Sequence, residues 1–165
     1  MNEPQNLTIK EIIKSGLCGV LRVSQIIKDN LQETHGSERE GEHGLWQRHI
    51  EAAMGECAVA KFLGLYWPGT GRLFGVDIPP DIQVRHTEDH DYRLILHKPG
   101  GKHGDDPDHF YWLVTGLLGK YMIRGWIQGR DGQRAEWWQD PQGTNRHAYF
   151  VPRDQLLGLD EWNAR

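Results

Sequence analysis

Cysteine is scarce in this 165-residue chain: only Cys18 and Cys57 occur, far apart and in no CxxC spacing. That excludes a disulfide framework and a cysteine-rich zinc module, and makes reduced thiols in a cytosolic compartment the default. Long apolar runs are missing too. No stretch approaches the ~18 residues that span a membrane, and Met1 to Lys10 has no basic segment leading into an apolar one. The expectation is a soluble, cytoplasmic protein with no membrane partner. Nor is there an excess of positive charge: 19 Lys and Arg against 23 Asp and Glu give a formal charge of -4. This argues against a coat protein that holds nucleic acid by bulk charge, so any nucleic-acid role rests on a local surface. Internal repeats and low-complexity tracts are absent. What is there, 38% hydrophobic and 10% aromatic residues, suffices for the core of one domain.

Leu7 to Leu31 carries a helical pattern of Ile, Leu and Val interrupted by Gly16 and Gly19, which predicts one or two short helices. Gln32 to Gly44 is charged, glycine-punctuated and almost without apolar residues. It reads as a linker, dividing residues 1–44, a helical arm with its linker, from an α/β domain at 45–165. A second helix is expected from about Leu45 to Leu65, apolar on most sides and therefore buried by its neighbours. Glu56 falls at the margin of its apolar stripe, where a carboxylate is desolvated unless it meets a cation. Strand-like runs follow at Asp81 to His86, Arg93 to His97, Phe110 to Thr115 and Tyr121 to Gln128. A short helix at Gln133 to Gln139, a strand at Ala148 to Val151 and a last helix from near Asp154 complete the pattern. The fold class is α/β, one central mixed sheet with helices packed on it.

In Asp81-Ile82-Gln83-Val84-Arg85-His86, alternation puts Gln83 and Arg85 on one face and Ile82 and Val84 on the other. Six residues before Gln83, Asp77 lies in a Gly-Val-Asp-Ile-Pro-Pro approach that is bent and stiff. A helix glutamate, an aspartate at a strand entrance, and a strand with two polar residues around one apolar residue: over residues 45 to 115 this order resembles the PD-(D/E)XK nuclease superfamily. The resemblance implies a restriction-endonuclease-like core, a Mg²⁺ or Mn²⁺ cofactor and hydrolysis of DNA phosphodiesters. Carried over, Asp77 is the principal metal ligand, Gln83 takes the acid position and the Val84 carbonyl adds a ligand. Arg85 stands where the family has lysine, and Glu56 matches the helix acid of many members.

The residue types suit hard, oxygen-preferring Mg²⁺, which polarises a phosphoryl group and lowers the pKa of a bound water. Gln83 offers an oxygen without charge, which lowers metal affinity. Arg85 can stabilise a phosphorane-like transition state but is never deprotonated, so it cannot be a base. A nuclease-like domain that has lost its chemistry and binds nucleic acid or a protein is therefore the alternative expectation. Asp81 shares the Gln83 face and could replace Asp77 as ligand. His97 could approach the metal if its strand forms a hairpin, and Asp105, Asp106 and Asp108 read as a solvated turn. An HNH-type site using His86, His90 or His97 lacks the required residue order. Gly119 to Arg153 holds six basic against three acidic residues, interleaved with aromatics. This singles out Lys120, Arg124, Arg130, Arg134 and Arg146, with Arg85, as candidate nucleic-acid contacts. A homodimer would be the simplest way for so small a domain to address both strands.

Overall fold

A computed structural model describes residues 2–31, 43–100, 104–141, 143 and 145–165. The linker expected at Gln32 to Gly44 lies almost wholly outside the described residues. The chain is mixed α/β, with a four-stranded mixed sheet, a smaller three-stranded sheet and helices.

The chain starts with β1 (Glu3–Asn6) and α1 (Ile9–Lys28). Thr8 caps α1: its hydroxyl accepts from the Glu11 amide, and the Glu11 carboxylate accepts from the Thr8 amide at 2.6 Å. This reciprocal box satisfies two of the donors that a helix start leaves unpaired. Gly16 and Gly19 do not break α1, which is one continuous helix of 20 residues rather than two. Gly19 serves close packing: a Cβ there would come within 2.6 Å of the Ile50 backbone. It lets α1 approach α2 (His43–Leu63), against which α1 packs most extensively. α1 has two apolar faces. Cys18, Val23 and Ile26 are buried, while Ile9, Ile13, Leu17, Val20 and Ile27 on the opposite side are 39% to 76% exposed.

α2 is buried throughout Ala53 to Ala60, as its apolar surround predicts. It is enclosed because α1 covers one side and the main sheet another. That sheet has the order β1-β5-β4-β2, with β2 (Ile82–Thr87), β4 (Phe110–Leu117) and β5 (Lys120–Gln128). β4 and β5 form a hairpin through Leu118 and Gly119, both at positive φ, the two-residue turn that matches strand twist. β2 runs parallel to β4 and leaves its other edge free of strands. β1, which has no strand-like alternation of its own, pairs with β5 on the far side.

The alternation in β2 and β4 separates two cores. Ile82, Val84, Trp112 and Val114 meet α2 residues in one. Tyr111, Leu113 and Ile127 meet Leu94, Leu96, Trp137 and Val151 in the other. This second layer is the small antiparallel sheet β3 (Leu94–Leu96), β7 (Ala148–Val151) and β6 (Trp138–Gln139). The sequence predicts a single sheet, and the division arises because β4 is buried on both faces. The helix expected at Gln133 to Gln139 is replaced by a turn of helix α3 (Gly129–Gly132), a 3₁₀ turn at Ala135–Trp137 and β6. The last helix, α4 (Leu159–Asn163), starts later than expected. Among the described residues no helix is long and apolar enough to cross a membrane.

Candidate functional site

Asp77 owes its place to a backbone return. Ile78 and Ile82 exchange both backbone hydrogen bonds, at 3.1 Å each, around Pro79, Pro80 and Asp81. The segment before β2 therefore folds back along the free edge of that strand. Asp77 Oδ2 accepts from the Val84 amide at 2.8 Å, an edge donor with no neighbouring strand to pair with. Gln83 Nε2 donates to the Gly75 carbonyl at 3.0 Å, so the returning segment is held to β2 at two points. Gln83 and Arg85 do share a face, but it is the face turned away from α2.

Glu56 belongs to the helix side of the sheet and is 4% exposed. Its two oxygens accept from Arg22 Nη1 at 2.6 Å and Nη2 at 2.8 Å, and Trp67 Nε1 donates to Oε2 at 3.2 Å. This two-pronged pair is the strongest ionic contact geometry available to a carboxylate. Burial opposes it, yet the Glu56 carboxylate raises the proton affinity of Arg22 still further. Arg22 escaped the sequence reading. Its signal was there: a charged residue four positions from Cys18 and four from Ile26 sits among buried α1 positions and requires an acid.

Asp77 is within electrostatic reach of both sides. It is half-buried, and desolvation followed by the neighbouring Glu56 carboxylate pushes its carboxyl up to about 7, while the Val84 hydrogen bond, Arg85 and Arg22 pull the other way. Arg85 points into the other layer. Its Nη2 donates to Asp105 Oδ1 at 2.5 Å, and its guanidinium lies 5.2 Å from the centre of the Tyr111 ring. Asp105, expected in a solvated turn, is buried instead, because it also accepts from the His97 amide at 2.7 Å and lies 3.4 Å from His97 Nδ1. Against the effect of burial, His97 and Arg85 hold its carboxyl below the ordinary value. His97 thus stands beside Arg85 and Asp105 on the face opposite Glu56. Asp106 and Asp108 are exposed, and Asp108 pairs with Arg130. Asp81 supplies a backbone carbonyl to Phe110 at the base of β4.

The resemblance implies a divalent ion, and the engaged donors test the fit. Both Glu56 oxygens are held by the Arg22 fork, one Asp77 oxygen by Val84, and Gln83 is turned to the opposite face. Among the described residues no group of three His, Cys, Asp or Glu is placed to hold a metal. The residues so arranged do not fit a divalent ion.

The basic candidates do not form one surface. Arg124 donates from Nε to Thr115 Oγ1 at 2.8 Å, and its Nη2 lies 2.9 Å from His90 Nδ1. Lys120 is exposed at the start of β5. Arg134 lies 5.0 Å over the Trp137 ring, next to β6, and Arg146 is exposed before β7. There, exposed Trp138 stacks on His147 with ring centres 5.7 Å apart at 20° and meets Tyr149 at 4.6 Å. His86 is half-buried, its Nε2 donating to the Gly116 carbonyl at 2.7 Å; burial lowers its pKa.

No protein-family model matches the chain, and no curated protein or solved structure is detectably similar to it.

Proposed function

We propose that this chain is a nuclease-like domain, with a restriction-endonuclease-like core, that binds nucleic acid, DNA before RNA, without metal-dependent hydrolysis. The observation that carries the loss of chemistry is the Arg22 fork on Glu56, which spends the helix acid on an internal cation. Binding is supported by the β6–β7 surface, where exposed Trp138 and His147, backed by half-buried Tyr149, offer ring faces beside Arg134 and Arg146. Exposed rings among cations suit unstacked bases, and each stacked base is worth roughly 1–3 kcal/mol. The expected result is salt-dependent binding of single-stranded oligonucleotides, unchanged by EDTA and without cleavage. Trp138→Ala should weaken it about tenfold or more, within that stacking range, with little change in melting temperature. Binding that Trp138→Ala leaves intact would overturn the assignment of the surface.

A metal-dependent nuclease is the second reading, favoured by the placement of the Asp77 carboxylate on the free edge of β2, 2.8 Å from the Val84 amide. Mg²⁺- or Mn²⁺-dependent cleavage by the purified protein, lost in Asp77→Ala, would establish it over the first. A homodimer would use the outward apolar stripe of α1. Sedimentation equilibrium should then show a dimer that Leu17→Lys dissociates.

A further inference from the structure

We propose that Phe110, Trp126 and Trp162 form a binding box for the guanidinium of an arginine on a partner polypeptide, occupied in this structure by the chain's own Arg165. The box belongs to the helix side of the main sheet, whereas β6 and β7 lie in the other layer, so it stands or falls independently of nucleic-acid binding.

The walls are built without the occupant. Trp162 meets Phe110, Trp126 and Trp112 with ring centres 5.2 to 5.3 Å apart at 72° to 88°, so it stands across the other rings instead of stacking on them. Phe110 and Trp162 are half-buried and reach solvent. Trp126 and Leu157 exchange both backbone hydrogen bonds, at 3.0 and 2.8 Å, and the Trp126 indole donates to the Gly158 carbonyl at 2.8 Å. Glu161 accepts from the Gly158 amide and caps α4, which carries Trp162. None of these bonds involves Arg165. Its guanidinium carbon lies 3.3 Å from the centre of the Trp162 ring, 4.0 Å from Phe110 and 5.7 Å from Trp126. The other cation–ring contacts among the described residues, at Lys14, Arg85 and Arg134, are 5.0 to 5.2 Å and engage at most two rings. Close stacking on a ring face is open to a planar, weakly hydrated guanidinium and not to a strongly hydrated ammonium. Little else retains Arg165. It is exposed, forms no ion pair among the described residues, and its polar contact is a 3.4 Å hydrogen bond from Nε to the Trp162 carbonyl. A cation held this way can leave, and it uncovers a three-ring corner already shaped to an arginine. The box contacts only the guanidinium end of its occupant and leaves the backbone outside. That suits an arginine presented by a polypeptide over a free amino acid with two charged ends.

The test follows the indole N–H resonances of Trp126 and Trp162 while acetyl-Gly-Arg-Gly-amide is added to the full chain. Arg165→Ala should bind this peptide at least about tenfold more tightly than wild type, because a site that its own residue fills about nine-tenths of the time loses that factor in apparent affinity. The same peptide with citrulline, which keeps the shape without the charge, should bind Arg165→Ala at least about tenfold more weakly. Adding Trp162→Leu to Arg165→Ala should abolish binding. A second measurement needs no variant to fold: in wild type, ring currents should hold the Arg165 Nε–H resonance upfield, and excess peptide should move it toward that of free arginine. The proposal is overturned by equal affinity of wild type and Arg165→Ala, by citrulline binding as well as arginine, or by peptide binding that survives Trp162→Leu. It is equally overturned by free arginine binding better than the peptide, or by an Arg165 resonance already at the free position in wild type. An Arg165→Ala protein that gains affinity for oligonucleotides and none for the peptide would also sink it and assign the rings to nucleic acid. Peptide binding without any oligonucleotide binding would leave this site standing and refute the proposed function instead.

Discussion

Arg22 with Glu56 and Arg85 with Asp105 are the same chemical pair in two settings, one on the helix side of the main sheet and one on its other face. The first is forked and closed, with both partners nearly inaccessible. The second is a single 2.5 Å contact whose arginine keeps 29% of its side-chain surface, and whose aspartate is shared with His97. The difference follows from the elements that deliver them. Two long helices drawn together at Gly19 and Ile50 position Arg22 and Glu56, whereas Asp105 comes from an irregular segment reaching back over a strand. Rigid helices hold a pair closed, while a loop-borne carboxylate leaves its arginine within reach of solvent. Asp77, at the strand edge, responds electrostatically to both pairs.

The largest expected effect breaks the closed pair. Glu56→Gln removes the charge that Arg22 needs in a buried setting, and should lower unfolding stability by about 3–5 kcal/mol in denaturant titration. A loss below ~1 kcal/mol would mean that the pair is solvated and that the contrast between the two faces is not real. Gly19→Ala attacks the same pair through the backbone, forcing α1 away from Ile50. Overpacking of this kind costs about 1–3 kcal/mol. Asp105→Asn acts on the open pair and should cost less, about 1–2 kcal/mol, because Arg85 can turn to water.

Protons separate the two faces by sign. The folded pKa of Asp77 lies above its unfolded value, so the folded state binds the extra proton between about pH 4 and 7 and stability falls as pH rises through that window. Asp105 is the reverse: its folded pKa is depressed, so its contribution is present above the unfolded value and is lost as pH falls below ~4. Asp77→Asn keeps an oxygen for the Val84 amide and should remove a slope on the order of 4 kcal/mol between pH 4 and 7. Asp105→Asn should leave that slope intact and flatten the acid limb. An unchanged slope in Asp77→Asn would show that the carboxyl is not desolvated.

What could be read from the sequence is what alternation and periodicity encode. The directions of Gln83 and Arg85, the buried second helix and the principal strands follow from side-chain period alone. Partnerships across the fold do not. Nothing near residue 105 distinguishes Asp105 from Asp106 and Asp108; only tertiary placement beside Arg85 and His97 does. β1, with Pro4 and three polar residues making up its four, is a strand because β5 offers it an edge. The two sheets were not separable either, because a strand buried on both faces, such as β4, gives the same apolar run in one sheet or between two layers. Type and order single out the site residues, whereas Arg22, which holds both oxygens of Glu56, is recognisable only as a cation on the buried side of an α1 that reads as amphipathic.

The smallest effect concerns the other glycine of α1 and isolates what holds the closed pair. A Cβ added at Gly16 meets no atom within 4 Å, in contrast to Gly19 three residues later. If both glycines were only weak points in a helix, alanine at either would stabilise α1 by about 0.5–1 kcal/mol, the propensity difference. The packing predicts opposite signs instead: Gly16→Ala should raise stability by that amount, and Gly19→Ala should lower it. The gain at Gly16 should also leave the Arg22–Glu56 pair untouched, because the helix is stiffened without being displaced. A Gly16→Ala variant that destabilises the protein would show that this side of α1 is occupied in solution, as a second copy seated on the Ile13 and Leu17 stripe would make it. Repeating the measurement in Leu17→Lys, where such a dimer cannot form, should then restore the gain.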